Sequence, residues 1–187
     1  TGPKKLKVIE NQTRPGLTLI NKDLDQTHLL FGWRAFSAFD PRYWSVVLLS
    51  AILGAGMSSR LSAEIRFKRG AAYYVGADYE ALSDHGFLTI AAGIEGKRLP
   101  EIITAILEQT KILKEVPVPE EELNRVKEFI LGQIHIGLEN SQKLAFFYGA
   151  QTLLTGKIQT PAEVEAKIRQ IRAQDIQSVA KDIFSNQ

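Results

Sequence analysis

The residue types that most often bind metals or transfer protons are scarce in this sequence. Its 187 residues include no cysteine and three histidines, His28, His85 and His135, so disulfides, thiolate metal sites and thiol nucleophiles are excluded. No two histidines have the spacing H-E-x-x-H or H-x-x-E-H, with which one helix presents two zinc ligands and a general base. We therefore expect no metal and no cofactor to be bound by this chain. We expect His28 in a strand, His85 in a turn and His135 on a helix surface.

The glycine loop Gly54-Ala55-Gly56 suggests a second kind of chemistry, because backbone N–H groups at the start of a following helix can bind an anion. The loop lacks the G-K-[ST] of a P-loop and the third spaced glycine of a dinucleotide site. A tight turn between two helices is the simpler interpretation. In that case Ser58 or Ser59 would accept the free N–H groups of the second helix.

Three cations and a tyrosine follow in the stretch that ends FKRGAAYYVGA. Arg66, Lys68 and Arg69 fall in the last turn of a helix predicted to span 60–69, where the helix dipole favours positive charge. Gly70 is the natural stop of that helix, since glycine adopts the left-handed conformation without steric cost. Tyr73 begins a strand, for which tyrosine is a favoured residue type. Residue types alone therefore give Arg66 and Tyr73 ordinary structural explanations.

The elements that position these residues follow from hydrophobic periodicity and turn residues. The sequence predicts strands at 6–10, 17–20 and 27–36, a helix from an N-cap at Asp40 through Pro41 to Leu53, the helix 60–69, a hairpin of strands 71–82 and 86–95, and five helical segments beyond residue 99. A sheet covered by helices suits this order better than alternating βαβ units. We therefore predict an α+β fold, with an antiparallel sheet packed by helices, as a single domain over residues 1–187.

Composition narrows the class of partner. The net charge is +2 and the charged fraction is 24%, with the cations spread along the chain, so nucleic acid is not expected as a partner. The longest apolar run, residues 45–56, is shorter than the roughly 20 residues that cross a bilayer. The basic start TGPKKLK leads into VIENQTRPG and not into an apolar core, so no signal peptide is expected. The sequence does not indicate a compartment.

One long stretch resembles a known family. LLSAILGAGMSSRLSAEIRFKRGAAYYVGA is similar to the signature of the pitrilysin/insulinase/mitochondrial processing peptidase family of zinc metallopeptidases, in which a helix ending L-G-x-G-M-S-S-R-L precedes a segment like R-E-K-R-G-L-A-Y-S-V. The resemblance extends from about residue 6 to 184. Mild departures are Ala55 in the loop, Phe67 in place of a charged residue and Ala71 in place of leucine.

The resemblance implies a role in a two-part enzyme. Such enzymes pair two homologous α+β halves, and the catalytic half carries H-x-x-E-H, which this chain lacks. The chain thus resembles the non-zinc half, which faces the zinc and holds the peptide, with zinc expected in the partner half. By resemblance, Arg66 would bind a substrate carbonyl, and Tyr73 would donate its phenol O–H to the scissile carbonyl oxygen. The partners implied are an extended peptide and a zinc-bearing half, either fused or a separate subunit, without which the chain should be inactive.

Two other functions remain open. A non-catalytic scaffolding homologue would keep the fold for assembly, as respiratory-complex core subunits of the same superfamily do. A free-standing peptide-binding module would bind extended peptides by itself. Tyr73 also has a geometric condition to meet, because regular alternation places it on one face with Val75 and Ala77. Its exposure requires that this face line the chamber, or that a bulge near Gly76 shift the register.

Overall fold

Alternating apolar residues build a three-stranded antiparallel sheet. The computed structural model of the chain describes residues 6, 8, 9 and 11–185, without the side chains of 154 and 155. The strands are β1 (Thr27–Ala35), β2 (Ala72–Ala81) and β3 (Gly86–Ile94), in the spatial order β1-β3-β2. The strand predicted at 27–36 and the predicted hairpin are confirmed.

One face of the sheet packs against the hydrophobic core. Leu88, Ile90, Ala92 and Ile94 of β3 are fully buried, and Leu29, Phe31 and Trp33 of β1 pack against the same cluster. Every second residue of a strand points to the same face, so this single pattern fixes which side of the sheet the helices cover.

Helix α1 (Tyr43–Gly54) is apolar on all sides and lies between the sheet and other helices, as expected for such a helix. Its last residue approaches β2 closely, because a Cβ built on Gly54 would lie 2.6 Å from the carbonyl carbon of Gly76 and 2.7 Å from the Cβ of Ala77. The hydroxyl of Ser50 donates to the Ala77 carbonyl at 3.1 Å. Helix α1 therefore contacts the main chain of β2 at Gly76 and Ala77.

The predicted start of α1 is wrong. Asp40 is not its N-cap, since the helix begins at Tyr43 and Arg42 occupies the cap position without a side-chain cap. The Asp40 carboxylate instead accepts hydrogen bonds from the backbone N–H of Arg42 at 2.8 Å and from its guanidinium at 2.8 and 2.9 Å. These bonds lower the pKa of Asp40, led by the guanidinium contact, and Pro41 lies in the turn before the helix.

The five helical segments after the sheet match the prediction. They are α2 (Leu99–Glu115), α3 (Glu120–Leu138), α4 (Ser141–Thr155), α5 (Pro161–Gln170) and α6 (Ala173–Ile183). Their ends follow local sequence: Asn140 accepts from the backbone N–H of Lys143 at 3.1 Å, Gly156 closes α4 at φ +65°, and Thr160 and Glu163 form the expected capping box. The buried side chains of sheet and helices form one contiguous core, so the α+β architecture is confirmed.

The strands predicted at 6–10 and 17–20 are wrong for the residues that the structure describes. Residues 6, 8, 9 and 11–26 include no helix or strand, and residues 7 and 10 lie outside the described part. The apolar side chains Leu17, Leu19 and Ile20 are all exposed. Among all the residues that the structure describes, no helix is long and apolar enough to cross a membrane.

Candidate functional site

The glycine loop is the tight helix-to-helix turn predicted as the simpler interpretation. Gly56 has φ +77°, and the hydroxyls of Ser59 and Ser62 donate to its carbonyl oxygen at 2.8 and 3.1 Å. Ser59 directly precedes the next helix, which begins at Arg60, but the prediction that its side chain accepts a free N–H group of that helix is wrong, because the Ser59 hydroxyl donates to the Gly56 carbonyl. The serine hydroxyls act as donors that close the loop, so the loop has a structural function.

The helix that carries Arg66 begins at Arg60, as predicted, but its residues Ser62–Lys68 form a π-helix and not the predicted α-helix. A π-helix has i→i+5 hydrogen bonds and often occurs at functional sites. Its end is tightly closed, since the backbone N–H of Ala71 donates to the carbonyl of Ile65 at 2.9 Å. Gly70 adopts the left-handed conformation at φ +57°, as predicted, and turns the chain into β2.

The three cations at the end of the π-helix differ in their contacts. Lys68 and Arg69 both donate to the carboxylate of Glu64, at 3.2 Å and 2.7 Å, and they lower the pKa of that carboxyl, with the hydrogen bond from Arg69 as the largest cause. Arg66 is exposed. Its guanidinium lies 5.9 Å from the ring centre of Phe67, and no carboxylate among the described residues pairs with it. Of these three cations, Arg66 alone has no carboxylate partner among the described residues.

Tyr73 is exposed because the sheet register shifts at this residue. Ala72 lies opposite Ile94, whereas Tyr74 lies opposite Gly93, so Tyr73 is the extra residue of a β-bulge. Such a bulge re-aims a side chain that regular alternation would send into the core. The side chain of Tyr73 is accordingly 63% exposed. The bulge lies at Tyr73 itself, so the position suggested by the sequence, near Gly76, is wrong.

Tyr74, the next residue, fixes the strand after the bulge. Its phenol oxygen lies 3.0 Å from Nδ1 of His28 in β1, and its ring lies over Gly93, where an added Cβ would be 2.8 Å from the Cδ1 atom of Tyr74. This bond spans all three strands on the outer face of the sheet. The sequence gives no signal for it, since the two residues are 46 positions apart.

The histidines occupy the predicted elements. His28 is in β1, His85 is in the hairpin turn with Nδ1 at 2.8 Å from the Asp84 carboxylate, and His135 is on the surface of α3, 3.4 Å from Glu165. Within the described residues, no group of three or more histidine, aspartate or glutamate side chains is arranged to hold a metal ion.

The arrangement therefore presents two hydrogen-bond donors, a guanidinium and a phenol, on either side of the Gly70 turn. Arg66 and Tyr73 are both exposed, and no hydrogen bond joins them in the described part of the structure. A guanidinium and a phenol can each donate to a carbonyl oxygen or to an oxygen that develops negative charge. The chemistry available here is thus recognition and charge stabilisation.

Comparisons with known proteins agree with the motif resemblance. A family model described as "Peptidase M16 inactive domain" matches residues 2–130. An uncharacterized zinc protease of Rickettsia felis is 35% identical over 176 residues, which cover 91% of this chain and 42% of that protein. The uncharacterized zinc protease YmxG of Bacillus subtilis is 28% identical over 164 residues, covering 88% of this chain and 40% of that protein. The chain thus spans about two fifths of these curated relatives.

Solved structures share the fold. A conserved protein from Enterococcus faecalis superposes with a TM-score of 0.79 at 24% identity, covering 86% of this chain and 37% of that chain. A chain of complex III2 from Candida albicans superposes with a TM-score of 0.77 at 19% identity, covering 87% of this chain and 41% of that chain.

Proposed function

The chain belongs to the peptidase M16 inactive-domain family of zinc proteases, and from that membership we propose that it acts as the non-zinc half of a zinc metallopeptidase. Its partner is a homologous zinc-bearing half, in the same polypeptide or in a separate subunit, and its substrate is an extended peptide. The length by which the relatives exceed this chain supports a second half of similar size. The chain alone is inactive.

The contrast between neighbouring side chains carries this proposal. Lys68 and Arg69 are engaged by Glu64, and Tyr74 is engaged by His28. Arg66 and Tyr73 remain exposed beside them. Arg66 and Tyr73 are large polar side chains on either side of one tight turn, and they make no contact that the fold requires. A substrate-binding surface needs such side chains.

The roles follow from the chemistry of the two donors. Zinc, held by the partner half, would polarise the scissile carbonyl and activate a water molecule. Arg66 donates to a backbone carbonyl of the peptide and fixes its position. Tyr73 donates its O–H to the scissile carbonyl oxygen, and this hydrogen bond strengthens as the oxygen gains negative charge, so it favours the transition state over the bound substrate.

The test is peptide cleavage by the chain together with its zinc-bearing half. Tyr73→Phe should lower kcat by about 10²-fold with little change in KM, as expected for loss of one donor to an oxyanion. Arg66→Ala should mainly raise KM. Lys68→Ala, which removes the neighbouring cation, and Tyr148→Phe, which removes a phenol O–H from α4, are the controls and should stay within about twofold of the wild type. Wild-type kinetics for both Tyr73→Phe and Arg66→Ala would rule out these roles.

A second candidate is a scaffolding homologue without catalysis, favoured by the fold shared with a chain of complex III2. It predicts that the chain assembles with partner subunits and that Arg66→Ala and Tyr73→Phe leave assembly unchanged while no peptide is cleaved. An H-x-x-E-H half in the adjoining coding sequence would favour the peptidase. Micromolar binding of extended peptides by the chain, without cleavage in any assembly, would instead indicate a peptide-binding module.

A further inference from the structure

Arg98 reaches back across the fold to the turn that separates Arg66 from Tyr73. It ends the 3₁₀ turn Gly96–Arg98, which follows β3 directly. Its Nη1 atom donates to the carbonyl oxygens of Arg69 at 3.1 Å and of Gly70 at 3.4 Å. These two carbonyls lie before and after the Cα atom of the left-handed residue Gly70, so one guanidinium holds both sides of the turn.

The guanidinium is itself held in place. Its Nε and Nη2 atoms both donate to the carboxylate of Glu101, each at 3.1 Å, in the bidentate geometry that orients arginine most firmly. The same carboxylate accepts from Arg69 at 3.2 Å. Because Arg98 and Arg69 favour its ionised form, the pKa of Glu101 lies below its ordinary value, with Arg98 as the largest cause. Glu101 thus joins the start of α2 to both arginines at the turn.

Tyr73 depends on such an anchor more than its neighbours do. As the extra residue of the bulge, it has no partner of its own in β3. Its direction is set by what holds the backbone before and after it. Tyr74 and His28 hold the strand after the bulge, and the Ala72–Ile94 pair together with the Gly70 turn holds it before.

We infer that Arg98 is a positioning residue, which fixes the Gly70 turn so that the Arg66 guanidinium and the Tyr73 phenol point at the same stretch of peptide. This inference rests on the proposed function, because only a shared substrate makes the relative direction of the two side chains matter. Arg98 itself contacts no substrate in this scheme and acts through the backbone of the turn.

The first test measures the turn without any substrate. In the assembled protein, Arg98→Met should speed amide hydrogen exchange at Ala71, whose N–H closes the turn on Ile65 at 2.9 Å, by about tenfold. Lys97→Met is the control, since it removes the adjacent cation, whose side chain is 75% exposed and pairs with Glu95, and should leave the exchange rate unchanged. Unchanged exchange in Arg98→Met would overturn the inference whatever the enzyme does.

The second test is a kinetic double-mutant cycle. Arg98→Met should lower kcat about tenfold through misplacement of the donors, but less than about twofold in a Tyr73→Phe background, since the donor is then already absent. Independent, multiplying losses would overturn the positioning role. If Arg98→Met does not fold, Glu101→Gln loosens the same guanidinium at nearly constant size and should change exchange and kcat in the same direction.

The two tests separate this inference from the proposed function. If Tyr73→Phe alone cleaves peptide at the wild-type rate, the proposed role of Tyr73 fails, and with it the catalytic part of the inference. The exchange rate at Ala71 then still decides whether Arg98 holds the turn. If Tyr73→Phe is impaired but Arg98→Met cleaves normally, the proposed function stands and the positioning role is refuted.

Discussion

Replacing Gly54 by alanine should destabilise the protein by about 2 kcal/mol. The new Cβ would lie 2.6 Å from the Gly76 carbonyl carbon and 2.7 Å from the Ala77 Cβ, whereas carbon atoms pack at about 3.5–4 Å. These atoms belong to β2 and cannot rotate away, so α1 and the strand must separate. Overpacking costs about 1–3 kcal/mol, and the strained Ser50 bond to Ala77 about 1 kcal/mol more. Alanine recovers about 1 kcal/mol through its higher helix propensity.

The control for this prediction is the same chemical change in another helix. Gly132 lies within α3, and a Cβ built there meets nothing within 4 Å, so Gly132→Ala should stabilise the protein by about 0.5–1 kcal/mol. Denaturant unfolding followed by the fluorescence of Trp33 and Trp44 would measure both variants. The reasoning is refuted if Gly54→Ala is as stable as the wild type, or if both variants change stability in the same direction.

Three further predictions concern the ion pairs and the bulge. Arg60→Met should lower the free energy of unfolding by about 2 kcal/mol, between the values for surface and buried ion pairs. The reason is that Arg60 lies 2.7 Å from Glu122 and both side chains are only 16% exposed. A coupling energy below about 0.5 kcal/mol in a double-mutant cycle with Glu122→Gln would contradict this prediction. Because the pKa of Glu64 is lowered from 4.5, chiefly by Arg69, its stabilising effect is complete above pH of about 4.5 and is lost as pH falls through its lower folded-state pKa. The difference in unfolding free energy between wild type and Glu64→Gln should therefore shrink as the pH falls below about 4.5, and a constant difference across urea titrations at falling pH would count against the pairing. Tyr73→Ser should unfold within about 0.5 kcal/mol of the wild type in the same assay, as exposed positions do, whereas a loss above about 1.5 kcal/mol would mean that the tyrosine is packed.

The sequence predicts those elements whose signals are local. Helix α3 begins and ends at the predicted residues, 120 and 138, because a proline-rich segment precedes it and its apolar residues recur at helical spacing. The capping box of α5 is another local signal. Asp40 and Pro41 carry an equally local signal that fails, because the Arg42 guanidinium competes for the Asp40 carboxylate. The exposed residues 17–20 fail for a related reason: an apolar composition does not provide a neighbouring strand.

The site itself depends on contacts that no local pattern contains. By resemblance the sequence predicts Arg66 and Tyr73 as site residues, but it does not predict the bulge that exposes Tyr73. The bulge is set by the pairing of β2 with β3 and by the bond between Tyr74 and His28. Arg98 meets Gly70 from 28 positions away. Propensities cannot anticipate such contacts, because they describe each residue with its near neighbours only.

Because of the bulge at Tyr73, selection on this residue is separate from selection on the fold. Since the side chain stands outside the sheet register, we expect most replacements there to leave the stability of the domain nearly unchanged, and a population could accumulate them once the proposed peptide cleavage is no longer selected. Residues such as Gly54 have no such freedom, because selection for folding alone preserves them. A descendant that has become a pure scaffold would therefore keep the glycine and lose the tyrosine. If Tyr73 has the role proposed above, the identity of residue 73 across diverging lineages would record when cleavage was abandoned.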